Sequence, residues 1–349
     1  MTPAELAELH RWSQQHQAEI KRVLLATRRS RSWGVGVGWR VRRSGFSAPH
    51  LLIFSLTKAP KAALPSALRP RRVIARAPGA LLAPPGRSLA PLTSALLDNT
   101  PLPDPVRGGA SLSLRYTGSG SLGCLVEDAQ GARRLLSANH VIANFNHEGP
   151  GGENVEAEAT LYSPSPSFFP EPHSEIGTLE RWQLLQVTPH RSLSVQNNRV
   201  DAALGVPADG RVLPGLENLP GRITGWLPQD KLYPGMAVRI SGHTSKASEG
   251  TLRAVGCAVM IQNLCGKNKH ALFSQQLIVE DLADNGDSGA VVVAPVTPGL
   301  PMEQEQDYLA IGLAYGVPPR LPNVGARRFT YVCPWEHLHD LWGITPVSG

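Results

Sequence analysis

Cysteine is scarce in this chain, with four in 349 residues. Small secreted proteins that rely on disulfides use more cysteines at closer spacing. The four here are scattered, at Cys124, Cys257, Cys265 and Cys333, so we expect reduced thiols. Cys257 and Cys265 flank a predicted hairpin, which leaves a pairing between them open. A zinc site that joins them to His270 matches no standard ligand spacing, so no metal is expected.

Long apolar runs are also absent. No stretch reaches the roughly 18 to 20 residues that a membrane-spanning helix needs, so no membrane association is expected. Residues 1–9 carry two acids and lack the apolar segment of a secretory signal. With reduced thiols, this indicates a cytoplasmic protein. Thr2, Pro3 and Glu5 instead match a helix start with a capping box, which predicts an amphipathic helix from residue 3 to about 27.

Charged residues make up only 18% of the chain, whereas glycine and proline are abundant at 34 and 31. This composition excludes a protein of long helices and predicts many short strands joined by turns. The length allows more than one domain. We therefore expect a mostly β fold.

The charges present are divided unevenly along the chain. Residues 1–110 hold 17 Lys and Arg against 5 Asp and Glu, whereas residues 111–349 hold 17 against 23. Composition suggests three parts: a basic N-terminal α+β unit over 1–74, a linker rich in proline and alanine over 75–108, and the main domain over 109–349.

The N-terminal unit contains two predicted strands, at residues 33–39 and 51–56. Three glycines in the first strand, Gly34, Gly36 and Gly38, resemble a nucleotide-binding loop. No helix follows them, so we do not favour that interpretation and expect no cofactor.

The basic unit has three candidate roles: docking on the acidic main domain as a regulatory or inhibitory segment, binding nucleic acid through phosphate contacts, or presenting a solvated surface. The opposite charges of the two halves favour docking, since their attraction needs no third partner. Contact of this kind should weaken as salt rises.

The main domain contains the motif Gly-Asp-Ser-Gly within residues 284–290, between the apolar runs 276–279 and 290–293. A tight turn between two strands holds the hydroxyl of Ser288 at one exposed point. It also frees the backbone N–H groups of Gly286 and Ser288 to face one cavity. These features suit a nucleophile with an oxyanion hole.

A serine nucleophile needs a neutral imidazole as base and a carboxylate that orients it. Residues 123–128 and 134–143 form a predicted hairpin whose second strand ends in a small-residue turn with His140. Asp201 stands at the head of a short apolar strand, within Asn-Arg-Val-Asp-Ala-Ala-Leu. The predicted triad is therefore His140, Asp201 and Ser288.

Two other acids compete with Asp201 for the orienting role. Asp209 and Asp230 lie in loop sequences rich in proline or glycine. Neither leads into an apolar run that would bury it beside an imidazole, so we prefer Asp201.

The order His, Asp, Ser in these contexts resembles the chymotrypsin-like serine peptidases over roughly residues 110–345. A narrower similarity is to the mostly bacterial trypsin-like peptidases related to the plant narrow-leaf protein, at residues 177–181, 198–201, 238–245 and 249–251. In that group an arginine usually occupies the position of His243, and a Thr-Gly pair that of Ser245 and Lys246.

The resemblance implies a chymotrypsin-like double β-barrel after the N-terminal α+β unit. It also implies a serine endopeptidase that acts on protein substrates without a cofactor, with an oxyanion hole at Gly286, Asp287 and Ser288. A dedicated partner protein is compatible with it, and a catalytically silent scaffold for a protein or nucleic acid is the alternative. Relatives that lose activity usually lack a triad residue, and none is missing here.

The resemblance also indicates where substrate binds. It places the floor of the specificity pocket at Leu282, and the strand that pairs with substrate at Ala314, Tyr315 and Gly316. An apolar floor lacks the carboxylate that binds a basic side chain, so we expect a medium-sized apolar P1 residue. The acids Asp281 and Asp284 flank Leu282, and a shift of one residue would bring either into the pocket.

Secreted relatives order the oxyanion loop with a freed N-terminal amine that pairs with the aspartate before the nucleophile. No Arg-Ile-Val-Gly-Gly-like site precedes residue 120. We therefore expect no activating cleavage there, and Asp287 must find another partner or be held by packing.

Overall fold

The computed structural model describes residues 2–27, 32–42, 45–55, 72–76, 105–115, 118–144, 157–166, 173–189, 197–262, 269–317 and 328–348. Over these residues the chain is mostly β, as the composition predicts. The helices are α1 (Pro3–Gln15), α2 (Gln17–Thr27), α3 (Asn139–Ile142) and α4 (Trp335–Trp342), and one 3₁₀ turn spans Gln229–Lys231.

The strands up to residue 216 are β1 (Ser32–Arg42), β2 (Gly45–Ser55), β3 (Arg72–Arg76), β4 (Val106–Gly108), β5 (Ser111–Leu112), β6 (Gly120–Ser121), β7 (Cys124–Glu127), β8 (Arg133–Ser137), β9 (Thr160–Ser163), β10 (Ser174–Trp182), β11 (Thr188–Pro189), β12 (Asn197–Asn198), β13 (Ala203–Pro207) and β14 (Val212–Leu216). The later strands are β15 (Gly221–Trp226), β16 (Ala237–Gly242), β17 (Lys246–Gln262), β18 (Lys269–Glu280), β19 (Val291–Pro295), β20 (Gln306–Gly316), β21 (Phe329–Pro334) and β22 (Thr345–Pro346).

The N-terminal helix starts as predicted. The side chain of Thr2 accepts a hydrogen bond from the N–H of Glu5, and the Glu5 carboxylate accepts one from the N–H of Thr2. The predicted single helix is two helices, because the chain leaves helical geometry at His16, whose ring bonds back to the carbonyl of Trp12.

The first large sheet carries the histidine and the aspartate of the predicted triad. Its six antiparallel strands run in the order β22-β7-β8-β13-β10-β9. The predicted hairpin is present as β7 and β8, and the short strand after Asp201 is β13. Several buried side chains of this sheet, including Leu125, Leu135 and Ala203, pack in one apolar cluster with Val141 and Ile142 of α3.

The second large sheet closes on itself. Strands β16, β17, β18, β21, β20 and β19 each pair with the next, and β19 pairs with β16. All six pairings are antiparallel, so these strands form a closed barrel. The serine motif lies in the connection between β18 and β19.

The N-terminal segment joins this second sheet. Strand β1 pairs antiparallel with β17, with Val35 opposite Ala258 and Val37 opposite Val255. Behind β1, the apolar faces of α1 and α2 are fully buried in the same cluster as side chains of β17 and β18; the members include Leu9, Ile20, Val23, Leu24, Leu252, Met260, Leu272 and Val279. Most of the predicted linker lies outside the described residues.

Candidate active site

His140 is placed by the end of strand β8. The chain passes from Ser137 through the extended Ala138 into the single helical turn α3. Val141 and Ile142 face the core of the first sheet and are almost fully buried. Because α3 is anchored by these two side chains, the His140 ring lies at the surface, with 16% of its side chain exposed.

Asp201 is bound to His140 through both carboxylate oxygens. Its Oδ2 lies 2.8 Å from Nδ1 of the ring, and its Oδ1 accepts the backbone N–H of His140 at 3.2 Å. The carboxylate is fully buried. Since a carboxylate only accepts, the ring proton lies on Nδ1, and Nε2 keeps the lone pair that a general base needs.

The backbone around Asp201 is held by buried polar groups. Asn198 bonds through its side chain to both backbone groups of Gln186 and to the carbonyl of Leu272. The thiol of Cys333 donates to the carbonyl of Arg199 at 3.4 Å. Burial raises the pKa of that thiol, so it stays a protonated donor.

The rival acids lie elsewhere. Asp209 is exposed in a loop. Asp230 is largely exposed in the 3₁₀ turn, 3.8 Å from the ammonium group of Lys231. Neither is bonded to His140.

Gly120 packs between the serine turn and the helix that carries His140. A Cβ at this position would be 2.5 Å from both the Ser288 carbonyl oxygen and a methyl of Val141. The N–H of Gly289 donates to the carbonyl of Ala314 and fixes the turn on strand β20. Among the described residues, no hydrogen bond joins the Ser288 hydroxyl to the His140 ring. Such contacts commonly tighten only when substrate binds.

Asp287 finds its partners in the turn that connects β16 and β17, which we call the 242–245 turn. The carboxylate is almost fully buried. Its Oδ1 accepts the N–H groups of Thr244 at 2.8 Å and Ser245 at 3.0 Å. Its Oδ2 accepts the hydroxyl of Ser245 at 2.5 Å and the N–H of Asp284 at 2.8 Å.

His243 lies in the same turn, at the position where the resembling group usually has an arginine. Burial, with a smaller contribution from the charge of Lys246, lowers the pKa of His243 to about 4. The ring is therefore neutral near pH 7 and supplies no cation in place of the arginine found in the resembling group. Backbone and hydroxyl donors bind Asp287 instead.

The oxyanion donors can be assigned within this loop. The N–H of Asp287 donates to the carbonyl of Asp284 at 3.1 Å, so it closes a turn and is not available to a substrate. In the part of the chain that the structure describes, the N–H groups of Gly286 and Ser288 donate to no protein acceptor. Of the three predicted oxyanion donors, these two N–H groups are therefore the ones left without a protein partner among the described residues.

Ser121 is a buried residue of the site that the sequence reasoning missed. Its N–H donates to the Ser288 carbonyl and its hydroxyl to the Gly286 carbonyl, while the hydroxyl also accepts the N–H of His243. The Ser121 carbonyl accepts the hydroxyl of Ser137 from the first sheet. Only its location in a run of small residues, 118–123, hinted at close packing.

The predicted specificity residues are mostly core residues. Leu282, Ala314 and Tyr315 are at most 1% exposed. Leu282 belongs to the apolar cluster of the second sheet. Tyr315 packs against Phe273, with ring centroids 4.8 Å apart. These three side chains therefore belong to the core, whereas Gly316 is partly exposed. The predicted pairing with substrate uses the backbone of this strand, which side-chain burial does not test, so it stays a prediction.

The two acids that flank Leu282 are both bound to Arg328. The N–H of Arg328 donates to Asp281, and its guanidinium donates to Asp284 at 3.2 Å. The guanidinium of Arg328 therefore pairs with Asp284, whereas Asp281 is bound by the backbone of the same residue.

The cysteines that the structure describes form no disulfide. Cys124, Cys257 and Cys333 are free and buried, and Cys265 lies outside the described residues.

Within the described ranges, no three histidine, cysteine or acidic side chains cluster as a metal site would require. None of the helices in those ranges has the length and apolarity to cross a membrane.

Comparison with known proteins yields matches only among solved structures; no family model and no curated protein matches. A glutamic-acid-specific serine protease is 19% identical, with a TM-score of 0.45, over 69% of this chain and 100% of its own. Thermobifida fusca protease A is 17% identical with a TM-score of 0.42, and a Cellulomonas bogoriensis chymotrypsin 19% identical with 0.41; each match covers 70% of this chain and 99% of the other. These neighbours are chymotrypsin-like serine proteases.

Proposed function

We propose that this chain is a serine endopeptidase that cleaves protein substrates through an acyl-enzyme. The observation that carries the proposal is the buried Asp201 carboxylate bonded to Nδ1 of His140, beside the turn that presents Ser288. This pairing leaves Nε2 as the base for the Ser288 hydroxyl. Within the described residues, no other histidine and carboxylate pair borders the serine turn.

The reaction follows from these groups. The Ser288 hydroxyl attacks the scissile carbonyl while Nε2 of His140 takes its proton. The N–H groups of Gly286 and Ser288 stabilise the oxyanion of the tetrahedral intermediate. When the intermediate collapses, the imidazolium gives its proton to the leaving amine. Water then repeats the sequence and releases the acid from Ser288.

We propose that this site needs no cleavage to become active. The Asp287 carboxylate already accepts four hydrogen bonds from within the chain, three of them from the 242–245 turn. These bonds replace the amine that a cleaved N-terminus provides in secreted relatives.

The N-terminal segment, which we assign to residues 1–74, is proposed to support the second barrel. Described contacts between the two are apolar packing behind β1, backbone pairing with β17, and bonds such as the Gln17 side chain to the Gly256 carbonyl. Within the described residues, no ion pair joins the segment to the barrel. The charge-driven docking considered from composition is therefore not the interaction we propose.

A fluorophosphonate probe tests the proposal directly, because it labels only a serine activated by a neighbouring base. We expect the full chain and the control Ser248→Ala, on strand β17, to be labelled equally. Ser288→Ala should lose all labelling and His140→Ala nearly all. Equal labelling of Ser288→Ala, or none of the full chain, would contradict the proposal and favour a silent scaffold.

A further inference from the structure

We infer that Thr244 is a positioning residue, whose hydroxyl sets the direction of the Gly286 N–H in the oxyanion hole. The hydroxyl donates to the carbonyl of Asn285 at 2.8 Å. Among the described residues it is the only donor to that carbonyl. The inference rests on the proposed function for its catalytic consequence and on peptide geometry for its structural one.

The geometry follows from the trans peptide bond. The carbonyl of Asn285 and the N–H of Gly286 belong to one planar unit and point in opposite directions. A hydroxyl that draws the carbonyl toward the 242–245 turn therefore turns the N–H away from that turn. On the side away from the turn, no protein group among the described residues accepts a hydrogen bond from the Gly286 N–H.

The unit needs such a constraint because residue 286 is glycine. Gly286 has φ +101°, a conformation that other residues rarely adopt, and glycine rotates its flanking peptides with little steric resistance. A Cβ at this position would lie 2.2 Å from the Thr244 hydroxyl. The same missing side chain that allows the peptide to rotate thus allows Thr244 to approach and hold it.

The neighbouring peptide units are held by other groups. The Gly286 carbonyl accepts the hydroxyl of Ser121 at 3.0 Å, and the N–H of Asp287 donates to Asp284. Removing the Thr244 hydroxyl therefore releases one peptide unit and leaves the rest of the loop bonded. Thr244 is itself exposed, so its loss should hardly affect folding.

The experiment compares crystal structures and kinetics of Thr244→Val and Thr244→Ser. Valine keeps the β-branched shape without the hydroxyl, and serine restores the donor. Thr224→Val is the matched control, since it removes a similar bond, from the Thr224 hydroxyl to the Tyr308 carbonyl at 3.3 Å, on strand β15.

In Thr244→Val we expect the 285–286 peptide to rotate, with the Asn285 carbonyl turned away from the 242–245 turn. We expect kcat to fall about 10- to 100-fold, below the 10²- to 10³-fold cost of deleting an oxyanion donor. KM should change less than about threefold. The Ki of a peptidyl trifluoromethyl ketone, which forms an oxyanion on Ser288, should rise with the loss in kcat. Thr244→Ser and Thr224→Val should match the unmodified chain.

An unrotated peptide in Thr244→Val would overturn the inference, as would a rotated peptide with kcat within threefold of the unmodified chain. A Thr244→Ser variant that did not retain both the peptide orientation and the kcat of the unmodified chain would also contradict the inference. If the unmodified chain neither hydrolyses peptides nor binds the ketone, the proposed function fails, while the crystallographic comparison still decides whether Thr244 sets the peptide.

Discussion

Replacing Asp287 with asparagine tests how the catalytic loop is ordered. The carboxylate accepts two N–H groups on Oδ1, from Thr244 and Ser245, and a hydroxyl and an N–H on Oδ2, from Ser245 and Asp284. An asparagine that keeps its oxygen toward the first pair directs its NH₂ group at the second. The hydroxyl can rotate to accept, but the N–H of Asp284 then faces another donor.

The magnitude follows from these contacts. Each charge-assisted hydrogen bond that becomes neutral loses about 1 kcal/mol, and one buried donor without an acceptor costs about 1–3 kcal/mol. Asparagine recovers part of this because no charge is buried. We expect the 284–288 loop to lose about 3 kcal/mol of local stability. Since this loop carries both proposed oxyanion donors, kcat should fall about 10²-fold.

The assay is hydrolysis of a peptide ester alongside urea unfolding, with Asp209→Asn as the control because that residue is exposed in a loop. If the loop opens locally, kcat will fall while the unfolding midpoint changes little. A variant with kcat within threefold and unchanged unfolding would refute the reasoning. The intact mass of active enzyme offers a second check, and obligatory cleavage near residues 107–120 would refute it as well.

Three further predictions concern the triad, the N-terminal segment and pH. Ser288→Ala and His140→Ala should each lower kcat about 10⁴- to 10⁶-fold in steady-state kinetics, and the double variant should be little worse than either. Asp201→Asn should lower kcat about 10⁴-fold, and activity of this variant within tenfold of the unmodified chain would show that the carboxylate assignment is wrong. Leu24→Ala should lower the free energy of unfolding by about 2–5 kcal/mol, equally at low and high salt, and a loss confined to low salt would indicate charge-driven docking. Burial lowers the pKa of His337 to about 3, so the unfolded chain binds a proton below about pH 6.5 that the folded chain does not. This ring should therefore lower the free energy of unfolding by up to about 1.4 kcal/mol for each pH unit of acidification. His337→Gln should remove that dependence in urea unfolding measured between pH 4 and 6.5, once the change in stability that the substitution causes at pH 7 is subtracted.

Local sequence determined the elements that carry the candidate site. The capping residues Thr2 and Glu5 start a helix, and the hairpin predicted over residues 123–143 is present and ends in a short helical turn. Such patterns act over a few residues, so they can be read without knowing the fold. For the same reason His140 and Asp201 could be chosen by the turn and strand around each, before any contact between them was known.

Only the tertiary structure decided what surrounds those elements. Asp287 is held by residues more than 40 positions earlier in the chain, and Ser121 links three segments that no local pattern connects. The sequence predicts Tyr315 on the substrate-binding strand, but only the closed barrel decides that its side chain packs against Phe273 and is buried. The basic N-terminal segment joins the barrel through strand pairing and apolar packing, although its composition suggested attraction between charges. Partners of this kind depend on which surfaces meet when distant segments fold together, and neither residue type nor spacing specifies that.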